Sequence, residues 1–288
     1  MKILITGASG QLGRALQRAL TAHDVVAVGH ATDVREAASS FYDGSPPEVI
    51  IHAAALTNTQ RCEHEPQNAY EVNGRFVGRV AEYARDWGAR LVAVSTNEVF
   101  SGATHAPYGE DAETGPVNVY GASKLLGERL AVGAAAQPSS YIVRTAWLYG
   151  DSPDNFVAKV LSAARAGEPM RFVTDEIATP TYADDLAAAI LQLIELPDAP
   201  AGIYHLTNEG EASRYEWARQ IVRLGGLGES RVEPVTTAEL WAGGYDGPRK
   251  PPYSVLANTR ARALGITLRP WREALAAYFE HAPVAADG

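Results

Sequence analysis

The sequence contains little sulfur, with one cysteine, Cys62, and two methionines among 288 residues. A single cysteine excludes an intrachain disulfide and a metal cluster built from cysteines. We expect Cys62 to be a small buried side chain. Because disulfides are absent, we expect the chain to lie in a reducing compartment, the cytoplasm.

Long apolar runs and clusters of positive charge are also absent. No stretch of about 18 apolar residues occurs, and the N-terminus lacks the apolar region of a signal peptide, so we expect no membrane anchor. The formal net charge is −9. Without a block of lysines and arginines, nucleic acid and anionic membranes are excluded as expected partners. The length and the hydrophobic content of 46% suit one large α/β domain, or one with a smaller lobe attached.

The N-terminal stretch has the pattern of a dinucleotide-binding unit. Lys2 to Thr6 is an apolar run typical of a buried strand, and Arg14 to Leu20 has the periodicity of a helix. Glycines between them permit a tight turn, let the backbone approach a pyrophosphate, and let the helix pack close to the strand. The cofactor-binding residues predicted in this turn and at the helix start are Gly7, Gly10, Gln11, Leu12 and Gly13.

The second predicted strand, Val25 to Val28, ends without the acidic residue that favours NAD. We therefore predict NADPH, with NADH as the alternative. Two arginines, Arg14 and Arg35, are candidates for contact with a 2′-phosphate. The cofactor-binding residues predicted after this strand are His30, Asp33 and Val34.

A third strand, Val49 to Ile51, ends in a run of small residues that leaves room for a cofactor against the backbone. We interpret His52 as a hydrogen-bonded structural histidine, because no serine or carboxylate motif accompanies it. The segment from Leu56 to Pro66 is predicted to be a loop, followed by a helix over 67–87. The cofactor-binding residues predicted here are Ala54, Ala55, Leu56 and Thr57.

The stretch Val117-Asn-Val-Tyr-Gly-Ala-Ser-Lys124 is the candidate centre of the chemistry. In a helix, Tyr120 and Lys124 lie on one face, about 6 Å apart along the axis. The cation is predicted to lower the pKa of the phenol; bringing that pKa near neutrality takes about 4 kcal/mol, so a second cation or a helix N-terminus should contribute. By itself the spacing is a weak signal, because an ordinary helix with a solvated lysine has it too.

Further strands are predicted at 91–94, which is followed by Ser95 to Glu98, and at 141–144. Their alternation with helices predicts a doubly wound parallel sheet of the Rossmann type. Residues 1–146 and 181–204 are assigned to this dinucleotide-binding domain. Residues 147–180 and 205–288 are assigned to a smaller, mostly helical substrate lobe over the carboxyl edge of the sheet.

Together these motifs resemble an extended short-chain dehydrogenase/reductase, and more specifically the dTDP-4-dehydrorhamnose reductase family. The similarity runs nearly end to end, with the motifs in order. The motifs that carry it are Thr6-Gly-Ala-Ser-Gly-Gln-Leu-Gly13, His52-Ala-Ala-Ala-Leu-Thr57, Ser95-Thr96, Val99-Phe100, Asn118-Val-Tyr-Gly-Ala-Ser-Lys-Leu-Leu-Gly-Glu128, Arg144-Thr-Ala-Trp-Leu-Tyr-Gly150, Asn155-Phe156 and Pro180-Thr181.

The resemblance implies an enzyme that reduces the C4 ketone of a nucleotide-linked 4-keto-6-deoxy sugar with NAD(P)H. Tyr120 would donate the proton, Lys124 would hold the nicotinamide ribose, and Thr96 would hydrogen-bond the reacting oxygen. The family includes monomers and homodimers, some with Mg²⁺ at the subunit contact, although no ligand cluster in this chain requires a metal. The substrate-binding residues it implies are Thr96, Asn97, Glu98, Trp147 and Asn155.

Two departures from the family pattern leave alternatives open. Asn97-Glu98 stands where the family commonly has Asp-Tyr, and Lys250-Pro-Pro-Tyr-Ser-Val-Leu-Ala257 keeps only part of a C-terminal motif. Nucleotide-sugar dehydratases carry Thr-Asp-Glu at the first of these places, so a dehydratase or epimerase that uses Glu98 is one alternative. We favour the reductase, because Asn97 has no acidic proton to give. A non-catalytic dinucleotide-binding subunit is the other alternative.

Overall fold

The computed structural model describes residues 1–29, 34–38, 44–134, 140–229 and 232–281. The predicted cofactor residues His30 and Asp33 lie outside these ranges, as does the side chain of Arg35. The strands are β1 (Lys2–Thr6), β2 (Asp24–Val28), β3 (Val49–His52), β4 (Arg90–Thr96), β5 (Ser140–Thr145), β6 (Leu148–Tyr149), β7 (Met170–Val173), β8 (Ile177–Ala178), β9 (Thr181–Tyr182), β10 (Gly202–His205), β11 (Ala212–Ser213) and β12 (Val232–Val235).

Helices alternate with these strands along the first half of the chain and dominate the second half. They are α1 (Gln11–Ala19), α2 (Val34–Ala38), α3 (Thr59–His64), α4 (Pro66–Tyr70), α5 (Phe76–Trp87), α6 (Val119–Ala134), α7 (Phe156–Ala166), α8 (Ala183–Glu195), α9 (Arg214–Leu224), α10 (Thr237–Ala242), α11 (Thr259–Ala263) and α12 (Trp271–His281). None of the helices in the described part of the chain is both long enough and apolar enough to cross a membrane.

Six of these strands form one parallel sheet in the order β10-β5-β4-β3-β1-β2. Helices α1 and α8 cover one face, and α2, α5 and α6 pack against the other. Central strands such as Val49–His52 are buried throughout, since both faces are covered. The predicted doubly wound Rossmann-type fold is confirmed, and the carboxyl ends of the central strands share one edge.

The segment predicted as a loop between Leu56 and Pro66 is partly helical, so that prediction is wrong. Asn58 caps α3 by accepting a hydrogen bond from the amide of Arg61, and Cys62 is buried beneath the helix. A polar helix of six residues lacks the apolar periodicity on which the prediction depends. The predicted helix over 67–87 is confirmed, beginning at Pro66 and containing a π-helical turn at Glu71–Arg75.

The second half of the chain builds a separate hydrophobic cluster around Tyr149, Trp217 and Trp271. Helices α7, α9 and α12 surround it, with three two-stranded sheets, β6 with β9, β7 with β12 and β8 with β11. Residues from both predicted domains meet in places: β6 pairs with β9, and Ala261 packs into the core of the main sheet. The domain boundaries drawn from the sequence therefore stay a prediction.

Candidate active site

A cavity of about 360 Å³ opens at the carboxyl ends of β1, β3, β4 and β5. It brings together residues that are far apart in the sequence, from the glycine turn, the small residues after β3, the end of β4 and helix α6. The predicted site residues that line it are Gly7, Gly10, Gln11, Leu12, Gly13, Ala54, Ala55, Thr57, Thr96, Tyr120, Lys124 and Trp147.

The glycine turn has no room for side chains at two of its positions. Gly7 has a φ of +73°, and a Cβ there would lie 2.6 Å from the amide nitrogen of Ala54. A Cβ on Gly13 would lie 2.2 Å from the carbonyl oxygen of Gly7. The backbone and the first amides of α1 are therefore open to the cavity, an arrangement that fits a pyrophosphate.

Two polar atoms beside this turn are buried without a hydrogen-bond partner among the described residues. They are Oγ1 of Thr145, at the end of β5, and Oε1 of Gln11, at the start of α1. Both residues line the cavity. Because buried polar atoms normally have partners, these two atoms fit a site that a polar ligand completes.

A second cavity, of about 240 Å³, lies at the ends of β1 and β2, and Ala54 and Ala55 line it as well as the first cavity. Val28, Val34 and Phe76 contribute apolar walls, which suit a flat aromatic group such as adenine. Arg14 is not directed here: its guanidinium is paired with Asp151 and also donates to the carbonyl of Ser9. The predicted contact of Arg14 with a 2′-phosphate therefore remains a prediction.

Leu56, predicted to bind the cofactor, does not line either of these cavities. Its backbone is held by Asn73 in the π-helical turn: the Leu56 amide donates to Oδ1 at 2.8 Å, and Nδ2 donates to the Leu56 carbonyl at 3.0 Å. The same Nδ2 lies 3.1 Å from the hydroxyl of Ser123 on α6. Asn73 thus connects the segment after β3 to the helix that carries Tyr120.

Tyr120 and Lys124 lie on α6 as predicted, and both face the cavity. The ammonium of Lys124 donates to the carbonyl of Val94 at 2.7 Å. Burial lowers the pKa of Lys124 to about 8, against the opposing effect of the Glu128 carboxylate. Lys124 is therefore fixed at the edge of the sheet, and its protonation state depends on the charged groups around it.

The expected lowering of the Tyr120 pKa is contradicted by the structure. Burial raises the pKa of Tyr120, the nearby Glu98 carboxylate raises it further, and a hydrogen bond with Thr96 offsets part of this increase. The prediction failed because it considered only positive charges near the phenol and left out its burial, which is the largest cause of the raised pKa. It could not include a carboxylate that arrives from the end of another strand.

Glu98 is buried and has two partners from distant parts of the chain. The ammonium of Lys250 lies 2.9 Å and 3.1 Å from its two carboxylate oxygens, and Nδ2 of Asn118 donates to one of them at 2.6 Å. The neighbouring Asn97 donates to the hydroxyl of Ser254 at 2.7 Å. The turn after β4 is therefore fixed by the segment around 250–254.

These observations agree with the comparisons to known proteins. The protein-family profile "RmlD substrate binding domain" matches residues 1–283. The dTDP-4-dehydrorhamnose reductase of Streptomyces griseus is 40% identical over 96% of this chain and 92% of its own length. The dTDP-4-keto-6-deoxy-D-glucose reductase of Streptomyces niveus is 37% identical, over 96% of each chain.

The fold of this chain is also similar to that of a solved structure. The dTDP-4-dehydrorhamnose reductase of Bacillus anthracis, determined in complex with NADP, superposes with a TM-score of 0.87 at 33% identity, covering 97% of this chain and 98% of that one. The chain belongs to the dTDP-4-dehydrorhamnose reductase family. The family and the enzyme class inferred from the sequence, a nicotinamide-dependent oxidoreductase, are thereby confirmed.

In the present chain, the two substrate-binding residues predicted in the lobe, Trp147 and Asn155, have different surroundings. Trp147 lines the cavity with a φ of 40°, and the guanidinium carbon of Arg214 lies 3.7 Å from the centre of its ring. Asn155 is buried and caps α7, accepting from the amide of Ala158 and donating to the carbonyls of Gly150 and Ser152. The geometry therefore favours a structural role for Asn155, and its contact with substrate stays a prediction.

His52 has the structural surroundings that the sequence indicated. Its Nδ1 lies 2.7 Å from the hydroxyl of Thr6, so it joins the ends of β1 and β3. Burial, with a smaller contribution from Lys124, lowers the pKa of His52 to about 3. The imidazole is therefore neutral at physiological pH.

A third cavity, of about 530 Å³, lies in the lobe beyond Glu98. Its walls include the exposed aromatic residues Trp241 and Tyr245 and the cations Arg249 and Lys250. Sequence reasoning missed this cavity and Lys250, which lines it, and it also missed Thr145 in the catalytic cavity. The departure from the family motif at 250 was the available signal, but it did not reveal the contact with Glu98. Among the residues that the structure describes, no group of acidic, histidine or cysteine side chains is placed to hold a metal ion.

Proposed function

We propose that the protein reduces the C4 ketone of a nucleotide-linked 4-keto-6-deoxy sugar, with dTDP-4-dehydro-L-rhamnose, reduced to dTDP-L-rhamnose, as the first candidate. The observation that carries this proposal is the convergence of Thr96, Tyr120 and Lys124 on one cavity beside the glycine turn. The names of the relatives above support the substrate class. A close analogue of this sugar remains within the proposal, because Asn97 and Glu98 depart from the family pattern.

The cofactor in this proposal is NADPH, with NADH as the alternative. The open backbone between Gly7 and Gly13 would hold the pyrophosphate, and the apolar cavity at Val34 would receive the adenine. Lys124 would hold the nicotinamide ribose. When bound, the reduced nicotinamide supplies a hydride to the ketone carbon. The NADP-bound relative supports this assignment.

The remaining chemistry is the transfer of a proton to the ketone oxygen. Tyr120 is the proposed donor: its O–H bond breaks as the oxygen gains negative charge and takes up the proton. Thr96 lines the same cavity as Tyr120, so its hydroxyl is suited to orient the oxygen. A buried, protonated phenol is ready to donate, since its raised pKa prevents loss of the proton before the substrate binds.

The lobe cavity is the proposed place for the nucleotide. Trp241 and Tyr245 offer flat surfaces for a base, and Arg249 offers an exposed positive charge for the phosphates. The two carboxylates in the same walls have partners, since Asp175 accepts from Thr237 and Glu176 is paired with Arg214. Lys250, which lines this cavity, is paired with Glu98, and Glu98 directly follows the end of β4, where Thr96 lines the catalytic cavity. A substrate with its sugar at Tyr120 and its nucleotide in the lobe would extend along this line.

The dehydratase alternative is less consistent with the site. A dehydratase needs an acid at position 97, where Asn97 instead donates to Ser254, and a free base at position 98. Glu98 is paired with Lys250 and hydrogen-bonded by Asn118. The non-catalytic alternative gives no reason for the three catalytic side chains to meet.

Incubating the purified protein with NADPH and 4-keto-6-deoxy-mannose nucleotide, made in situ by upstream enzymes, tests the proposal. We expect loss of NADPH absorbance with stoichiometric formation of the reduced sugar. No oxidation of NADPH or NADH with any keto-sugar nucleotide would refute it. Loss of water from dTDP-glucose without consumption of cofactor would favour the dehydratase, and binding of cofactor without turnover would favour the binding subunit.

A cytoplasmic location and a monomeric or homodimeric state stay predictions of the same hypothesis. Mg²⁺ at a subunit contact is part of the family resemblance, and the proposed reaction does not require it. Light scattering of the purified protein, with and without Mg²⁺, would measure the oligomeric state. A larger assembly would contradict our expectation.

A further inference from the structure

An ion pair connects the lobe to the turn that follows β4. Lys250 and Glu98 are 152 positions apart in the sequence, and their charged atoms lie 2.9 Å and 3.1 Å apart. The Glu98 side chain is 11% exposed and that of Lys250 is 20% exposed. Because both groups are largely removed from water, the interaction is stronger than that of a surface pair.

Glu98 is held on all sides in this arrangement. Asn118 donates to its carboxylate at 2.6 Å and is itself fixed by the amide of Gly121, which donates to Oδ1 at 2.8 Å. A Cβ on Gly121 would lie 2.1 Å from the Glu98 carbonyl oxygen, so α6 packs directly on the turn. The backbone of Glu98 is therefore packed against α6 next to Tyr120, and its carboxylate is held by Asn118 and Lys250.

The Glu98 carboxylate raises the pKa of Tyr120, second only to burial. An unpaired carboxylate in this place would make the phenol a weaker acid, and Lys250 supplies the opposite charge. Lys250 also lines the lobe cavity, so it contacts both the proposed nucleotide site and Glu98 in the turn after β4. The titratable groups that surround Tyr120 and Glu98 are Cys62 and Glu63 on α3, Lys124 on α6, and Tyr245 and Lys250 from the lobe.

We propose that Lys250 is a positioning residue, which holds the Glu98 carboxylate paired beside Tyr120, and that this pair sets the electrostatic field in which Tyr120 gives up its proton. The inference rests on the proposed function, because it takes Tyr120 as the donor. In this inference Glu98 does not act as a base; it acts on Tyr120 through its charge. Lys250, although it belongs to the lobe, acts on the proton donor through Glu98.

The test is the pH dependence of kcat for keto-sugar reduction in Lys250→Met and Glu98→Gln. The basic limb reports loss of a proton from the buried neighbours Lys124 and Tyr120, and an unpaired carboxylate beside them raises the pKa of either acid, so both move in the same direction. Removing the lysine charge should move that limb about one unit to higher pH and lower the plateau about tenfold, because the phenol becomes a weaker acid. Removing the carboxylate charge should move the limb about one unit to lower pH. Opposite shifts are the signature, since a merely structural defect would lower kcat without moving the limb.

Two further variants complete the experiment. Lys250→Arg keeps the charge and should restore the wild-type limb. Arg249→Met removes a positive charge from the same cavity without touching Glu98 through its side chain, so it should raise KM and leave the limb in place. The double variant of Glu98→Gln with Lys250→Met should lie near wild type, which a sum of independent defects would not produce.

The outcomes separate this inference from the proposed function. If wild type reduces the sugar and Tyr120→Phe does not, while all basic limbs coincide, the inference is wrong and the proposed function stands. If Lys250→Met raises only KM, Lys250 binds the substrate phosphates and the inference is again wrong. If wild type itself does not reduce any keto-sugar nucleotide, the proposed function has failed first.

Discussion

The two edges of the catalytic cleft are built in different ways. The cofactor edge consists of backbone and small side chains, with Gly7 and Gly13 packed too closely for any larger residue. The substrate edge consists of buried polar side chains in pairs, such as Glu98 with Lys250. A backbone surface recognises what all dinucleotides share, whereas paired side chains can be exchanged to suit a particular sugar. The difference explains why the first edge keeps the family pattern and the second departs from it.

The largest effect on activity is expected from Tyr120, which lies between the cofactor edge and the substrate edge. Tyr120→Phe removes the proposed donor and keeps the ring, so kcat should fall about 10²–10⁴-fold while the affinity for NADPH changes little. Turnover and a fluorescence titration with NADPH measure the two quantities. Tyr70→Phe on α4 is the matched control, because Tyr70 lies outside the cavity lining. Near-normal turnover in Tyr120→Phe would assign the proton to another group.

The next largest effect is a loss of folding stability at low pH, which we expect from His52, the residue that joins the ends of β1 and β3. The folded protein keeps the His52 pKa near 3, below its ordinary value of 6.5, so the unfolded chain binds the proton more readily. This contribution to stability is present above pH 6.5 and is lost as the pH falls towards 3. At pH 4 the loss is on the order of 3 kcal/mol.

Urea denaturation from pH 7 to pH 4 measures this loss. His52→Gln should lose less stability than wild type over that range, because glutamine has no proton to gain. His64→Gln, which removes an exposed imidazole on α3, is the matched control. If the two variants follow the same curve, His52 is not the group responsible.

A smaller effect tests the close packing of the glycine turn. Gly13→Ala places a methyl group against the Gly7 carbonyl, so we expect a loss of about 1–3 kcal/mol in stability together with weaker binding of NADPH. Thermal or urea unfolding and a cofactor titration measure both. Gly133→Ala, on the open side of α6, should be neutral or stabilise by up to about 1 kcal/mol. Unchanged cofactor affinity in Gly13→Ala would show that the edge is less tightly built than the structure indicates.

The smallest effect distinguishes the two roles of Asn155. As the cap of α7, Asn155→Ala should cost about 1 kcal/mol of stability and leave the substrate KM nearly unchanged. Ser213→Ala, which removes the cap of α9, is the matched control and should cost a similar amount. A tenfold rise in KM without loss of stability would instead support the substrate role predicted from the sequence.

The parts of the molecule that were predictable depend on neighbours in the chain. The strand at Lys2–Thr6, the glycine turn after it and the helix at Val119–Ala134 follow from local patterns, and the structure has all three. Helix α3 was missed because it is short and polar, although its Glu63 accepts from the amide of Val119 at the start of α6. The Tyr120 pKa was predicted in the wrong direction, because the local pattern shows neither the burial of the phenol nor the carboxylate of Glu98, which comes from the end of a different strand.

The sequence alone indicated the Rossmann-type sheet and the family. It also indicated that Thr96, Tyr120 and Lys124 lie near the dinucleotide turn, since parallel strands end at one edge of the sheet and a turn of helix keeps Tyr120 beside Lys124. Only the tertiary structure decided that Lys250 neutralises Glu98, that Asn97 is fixed by Ser254, and that the lobe carries a cavity of its own. Those contacts join residues more than 150 positions apart. Their geometry depends on how the whole chain packs, and no local pattern of residues encodes it.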